Sequence, residues 1–195
     1  MKFVTCTALV VCLAACGAPN AGEETATKES DPREIHTADY DLIIPAEQRA
    51  LLILFPCFGC DAADTRAESR IADTAAANGI AVVMMNFNQH ILMSEAEQQV
   101  VIGTIAGAVK EHGVDASNTF IGGFSSGGNV SVLLAKALLR SADPPVTLKG
   151  VFAVDSPLDL VHLYECSKRD LAKTTFPEYK DEARMLVALL DSTLG

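Results

Sequence analysis

Ten residues constrain this chain more than any others: Phe120-Ile121-Gly122-Gly123-Phe124-Ser125-Ser126-Gly127-Gly128-Asn129. An apolar run that reads as a strand leads in, and a strong helical pattern, Val130 to Leu139, leads out. A chain that passes from extended to helical within a few residues has to turn sharply. Glycines on both sides of the turn let strand and helix approach with no Cβ between them. The pentapeptide Gly123-Phe124-Ser125-Ser126-Gly127 is a G-x-S-x-G motif. In a strand–turn–helix setting it reads as a nucleophile elbow, with Ser125 held on a strained bend above the sheet. The bare pentapeptide is short enough to recur by chance, so its flanks give it weight.

The remaining pattern alternates. Tyr40 to Ile44 reads as a short strand closed by Pro45, and Leu51 to Phe55 as an uninterrupted apolar run. Such a run is what a central parallel strand needs when helices cover both its faces. After the turn Pro56 to Asp61, one helix is expected through Asn78, with Ala67, Ile71 and Ala75 on its inner side and Asn78-Gly79 as its stop. Ile80 to Met85 is the next buried strand. Ser94 to Glu97 is a capping box opening a helix with Val101, Ile105, Ala108 and Val109 inward, ended by His112-Gly113. Beyond the elbow helix Asp143-Pro144-Pro145 breaks the chain, and Leu148 to Val154 is a strand ending at Asp155-Ser156-Pro157. The remainder reads as helix around Asp159 to Glu165 and Glu178 to Asp191, with Ala183, Leu186, Val187 and Leu190 on one face. Between them Glu165 to Phe176 is charged and weakly periodic, as in a lid. Strands alternating with helices predict an α/β architecture: a mostly parallel sheet flanked by helices, with right-handed crossovers.

With 195 residues and 49% hydrophobic content the chain can bury a core as one domain. Its net charge of −10 argues against nucleic acid or an anionic membrane surface as an electrostatic partner. Residues 1–15 read as a leader: a positive start at Lys2, then an apolar run too short to span a bilayer. Leu13-Ala14-Ala15-Cys16-Gly17 resembles the lipobox of a bacterial lipoprotein. That resemblance implies cleavage before Cys16, lipid on its thiol, and anchoring in the cell envelope, with the membrane met through the lipid only. The alternative is an ordinary secretory signal. Residues 16–38 are polar and read as a flexible tether, leaving 39–195 as the folded domain.

Cys6 and Cys12 leave with the leader, so Cys57, Cys60 and Cys166 remain in an oxidising compartment. Three cysteines form at most one intrachain bridge, and Cys57–Cys60 is a candidate. Cys57-Phe58-Gly59-Cys60, after a strand and before a helix, is also the local context of a thioredoxin-like redox motif. That reading leaves the elbow without a role. The histidines and cysteines lack ligand spacing for zinc, and neither metal nor organic cofactor is implied.

From Tyr40 to Asp159 the chain resembles an α/β-hydrolase. The resemblance makes Ser125 the nucleophile and assigns the oxyanion hole to the turn after the strand ending at Phe55. There the family commonly carries H-G-x-G-G, and here Pro56-Cys57-Phe58-Gly59-Cys60 matches outright only at Gly59. The implied oxyanion donors are the backbone N–H groups of Phe58 and Ser126. The family's order is Ser, then Asp or Glu, then His. Asp155 closes the strand corresponding to the family's sixth and fills its less common acid position, whereas Asp159 reads as a helix N-cap. His162, the one histidine after Ser125, is the candidate for the catalytic base within the chain, the alternative being a packed or half-exposed helix residue. His36 falls in the tether, His90 after a strand, and His112 at a helix end. The family's last two strands do not follow, so the sheet is expected to be incomplete at its C-terminal edge, as in the N-terminal part of a longer hydrolase whose histidine base lies beyond residue 195. The implied activity is hydrolysis of an ester or related acyl substrate. The alternatives are a hydrolase-fold lipoprotein that binds without cleaving, or a C-x-x-C thiol-disulfide oxidoreductase.

Overall fold

Ala50–Phe55 (β3) is buried at every position, and it sets the centre of the sheet. Ile80–Met85 (β4) and Thr119–Phe124 (β5) pair with it in parallel on either side. The structure, a computed structural model, describes residues 31–87, 90–173 and 176–194. The leader and the lipidation expected at Cys16 lie outside the described residues. With Arg33–His36 (β1), Tyr40–Ile44 (β2) and Leu148–Val154 (β6), the described strands form one sheet in the order β1-β2-β4-β3-β5-β6. β2 runs antiparallel to both its neighbours, and β4, β3, β5 and β6 are mutually parallel.

Alternation along β3 divides the interior in two. Leu51, Ile53 and Phe55 pack into the core beneath Glu95–His112 (α3) and Ser126–Arg140 (α4). Leu52 and Leu54 face the opposite core, beneath Ala62–Glu68 (α1) and Ile71–Ala77 (α2). A run with no polar residue therefore serves both layers, as its sequence requires. The expected ends of α3 hold: Ser94 and Glu97 form a reciprocal capping box, and Gly113 caps the helix in the left-handed region at φ 67°. Val101, Ile105 and Ala108 are buried, with Val109 packed against them.

Three expectations are corrected. The single helix through Asn78 is two seven-residue helices broken at Ser69-Arg70, where the Ser69 hydroxyl accepts from Ile71 N–H at 3.1 Å. Ala67 faces solvent, so the spacing-four pattern spans the break without defining one face. The segment read as tether to residue 38 contains β1, paired along β2. A strand spelled Arg-Glu-Ile-His offers a single apolar residue, Ile35, which packs against the core; backbone pairing and Arg66, which reaches both oxygens of Glu34 at 2.8 and 2.9 Å, hold the rest. The lid-like stretch from Glu165 is mostly a continuation of helix, Leu160–Lys173 (α5). It packs against Pro177–Leu194 (α6) through buried Tyr164, Ala183 and Leu190, and Tyr164 Oη donates to Asp191 Oδ1 at 2.5 Å.

Candidate active site at the β5–α4 turn

β5 ends at Phe124 and α4 begins at Ser126, so Ser125 alone makes the turn. It adopts φ 50° and ψ −121°, one of two non-glycine residues with positive φ among the described residues. L-residues avoid this region because Cβ crowds the backbone. Surrounding contacts hold Ser125 there. Its N–H donates to the Val154 carbonyl at 2.9 Å, and its carbonyl accepts from Gly128 N–H at 3.0 Å. Gly123 and Gly127 face each other so closely that a Cβ on Gly123 would overlap the Gly127 backbone, and one on Gly127 would overlap the carbonyls of Phe55 and Pro56. The Ser125 side chain is exposed, and its hydroxyl has no hydrogen-bond partner among the described residues.

Two backbone N–H groups without acceptors among the described residues flank the turn. Ser126 opens α4, so its N–H belongs to the first turn, which has no acceptor within the helix. Ahead of it lies the turn Cys57 to Cys60, closed by a Cys60 N–H to Cys57 carbonyl bond of 3.1 Å and by a Cys57–Cys60 disulfide with Cα atoms 5.2 Å apart. Gly59 supplies the positive φ, 79°, that such a turn demands at its third residue. The Phe58 N–H has no acceptor among the described residues. The bridge is the one named as a candidate from the sequence. Cys166 is the one free cysteine among the described residues.

The end of β6 is fastened to the elbow. Asp155 is the second non-glycine residue with positive φ, 50°, and follows directly on Val154, whose carbonyl receives the Ser125 N–H. Ser156 lies against Gly128, where any Cβ would collide with it. Asn129, almost fully buried on α4, donates from Nδ2 to the Pro157 carbonyl at 3.0 Å, while its Oδ1 has no partner. The Asp155 carboxylate is exposed and unpaired among the described residues. Asp159 acts as the N-cap its position predicts, Oδ1 accepting from His162 N–H at 2.9 Å. Sequence reading missed Asn129. An amide inside an otherwise apolar helical pattern was the available signal, but its partner lies 28 residues away.

Strand order 1-2-4-3-5-6, antiparallel β2, and a strained serine at the end of β5 together limit the fold. Among solved structures the chain is similar to an inhibited esterase B from Lactobacillus rhamnosis, with TM-score 0.56 and 18% identity over 84% of this chain and 58% of that one. The fold is that of the α/β-hydrolases. A bacterial heroin esterase follows at TM-score 0.55 and 15% identity, over 85% of this chain and 56% of that one. A vibralactone cyclase matches at TM-score 0.50 and 15% identity, covering 80% and 53% respectively. The chain spans less than two thirds of the length of each. No protein-family profile and no curated protein sequence matches it.

An α/β-hydrolase nucleophile is ordinarily served by histidine. All four histidines of this chain are described, and each is engaged away from Ser125. His36 Nδ1 lies 3.0 Å from Asp41 Oδ1 on the β1–β2 edge. His90 stacks on Phe87 with ring centroids 4.2 Å apart and meets Glu97 Oε1 at 3.1 Å. The Ser94 hydroxyl and N–H, aided by His90, hold the Glu97 carboxyl below its usual range. His112 Nε2 is 3.0 Å from Tyr40 Oη, a phenol whose pKa is raised by burial and the nearby carboxylates of Glu111 and Asp39. His162 is exposed on α5, its Nε2 3.4 Å from Cys166 Sγ. The arrangement therefore brings Ser125, the Phe58 turn, Ser126 and Asp155 around the elbow, and leaves His162 out of hydrogen-bonding contact with the serine.

Proposed function

We propose that this chain is a serine hydrolase acting on esters or related acyl compounds, with its nucleophile and oxyanion donors at the β5–α4 turn. Ser125 Oγ attacks the substrate carbonyl, and the resulting oxyanion is held by the N–H groups of Phe58 and Ser126. Collapse expels the alcohol and leaves an acyl group on Ser125, which water then removes. Asp155 is the acid of this reading, and the general base that takes the Ser125 proton comes from outside the groups described around the elbow. One observation carries the proposal: an unpartnered hydroxyl on a residue forced to φ 50° between strand and helix. Strain of this kind costs on the order of 1–3 kcal/mol and persists where surrounding structure enforces it, commonly at functional sites. An exposed serine with an ordinary role has no use for it.

Reaction with a fluorophosphonate probe tests the reading. Covalent adduct is expected on Ser125 in the folded chain and none in Ser125→Ala; an unreacted wild type would end the claim of nucleophilic catalysis. A second reading, a hydrolase fold that binds acyl compounds without cleaving them, is favoured by the engagement of all four histidines elsewhere. It predicts ligand retention without turnover. The lipobox resemblance adds an envelope anchor at Cys16, which labelled palmitate incorporated into the wild type and lost in Cys16→Ser would support.

A further inference from the structure

Resting on the serine-hydrolase reading above, we propose that the Cys57–Cys60 disulfide is a positioning element for the Phe58 oxyanion donor, so that the redox state of this turn sets the reactivity of Ser125. The turn hangs between two fixed ends. On the entering side, the carbonyls of Phe55 and Pro56 are wedged against Gly127 at the start of α4. On the leaving side, Asp61 and Asp64 form a reciprocal capping box, and Ala62 N–H is held by Asn86 Oδ1 at 2.9 Å. Between these anchors, one backbone hydrogen bond and the bridge hold residues 57 to 60. Phe58 makes no hydrogen bond among the described residues, and a Cβ built on Gly59 would meet nothing within 4 Å. Gly59 is exposed and Phe58 only half-buried, so besides partial packing of the Phe58 ring the covalent bridge is the main restraint on the apex that carries the donor.

The bridge is also within reach. Both cysteines are partly exposed, and together with Thr65, Glu68, Ser69 and Phe124 they line a cavity of about 120 Å³. Phe124 is the residue before Ser125, so one side of the cavity is the disulfide and another is the elbow itself. A dithiol reductant entering here transfers two electrons and two protons: the S–S bond breaks, Cys57 and Cys60 become thiols, and the reductant closes to its own disulfide. Because a bridge stabilises less the shorter the loop it closes, a three-residue sequence separation places its main effect in local geometry rather than global stability. Oxyanion donors work only when aimed at the developing charge, and losing one outright costs about 10²–10³ in rate. Loosening one should cost about tenfold or more, within that ceiling.

The test compares fluorophosphonate labelling of Ser125 in the full chain before and after dithiothreitol treatment, with peptide mapping of alkylated cysteines as an independent readout. Before treatment Cys57 and Cys60 should resist alkylation; if both alkylate freely, no bridge exists and the proposal is overturned. After treatment the labelling rate should fall at least about tenfold and recover on reoxidation, with the thermal midpoint little changed. Equal rates in both states overturn the positioning role and leave the serine-hydrolase reading intact. Absence of labelling in the oxidised chain sinks that reading, and this proposal with it. A Cys57→Ser/Cys60→Ser variant should label slowly and ignore dithiothreitol, and a rate that still falls on treatment would place the effect elsewhere. Reversal on reoxidation keeps the wild-type comparison decisive should that variant fail to fold.

Discussion

Ser125 is strained in a way that a substitution can measure. Glycine enters positive φ freely, so Ser125→Gly should release on the order of 1–3 kcal/mol of backbone strain. Its added unfolded-state freedom takes back up to about 1 kcal/mol. The expected net is a gain of about 1 kcal/mol, read as a raised thermal midpoint, with loss of fluorophosphonate labelling. Ser125→Ala keeps the strain and removes only an unpaired hydroxyl, so labelling should vanish with stability nearly unchanged. A Ser125→Gly midpoint below that of Ser125→Ala would show that the turn is not strained. Gly127 is the converse case, since a Cβ there meets the Phe55 and Pro56 carbonyls. Gly127→Ala should cost about 1–3 kcal/mol in urea unfolding, because backbone on both sides must shift. At this scale the serine and the need for glycine beside it were legible in the motif. Which atoms crowd Gly127 was not, because those atoms come from the end of a strand some seventy residues earlier.

Elements with local causes matched the sequence closely. β2, β4 and β6 have the ends read from their apolar runs, and the α3 caps follow from Ser94, Glu97 and Gly113. Elements with non-local causes did not. β1 exists through pairing with β2 and through Glu34, whose carboxyl is held below its ordinary value of 4.5 chiefly by the hydrogen bond from Arg66. A carboxyl with a depressed folded pKa contributes stability that is full above the unfolded value and is lost as pH falls through the folded one. Glu34→Gln should therefore lower the thermal midpoint slightly near neutrality and flatten its decline below pH 4.5. The pair is partly exposed, so the loss should stay within about 1 kcal/mol. Identical acid limbs for both proteins in thermal melts against pH would remove this anchor of β1.

Over the whole molecule the two edges of the described sheet differ. β1 is short and charged, as a protected edge should be. β6 is mostly exposed or half-buried, with Val151 46% and Val154 43% exposed, and α5 and α6 pack on each other rather than closing over it. An apolar open edge invites pairing with another chain. Val151→Lys should reduce concentration-dependent association in size-exclusion chromatography and light scattering, with little change in unfolding free energy. Unaltered association would show that β6 is not the contact. The sequence by itself determined the architecture here, because continuous apolar runs alternating with helical periods leave few arrangements that bury both faces of a sheet, and it marked the serine because its motif is contiguous. Tertiary structure alone decided what surrounds that serine: the Val154 carbonyl on its amide, the Asn129 tie to Pro157, and the pairing of every histidine elsewhere. Those contacts join residues distant along the chain, and their distances and directions are fixed only when the sheet and helices pack together.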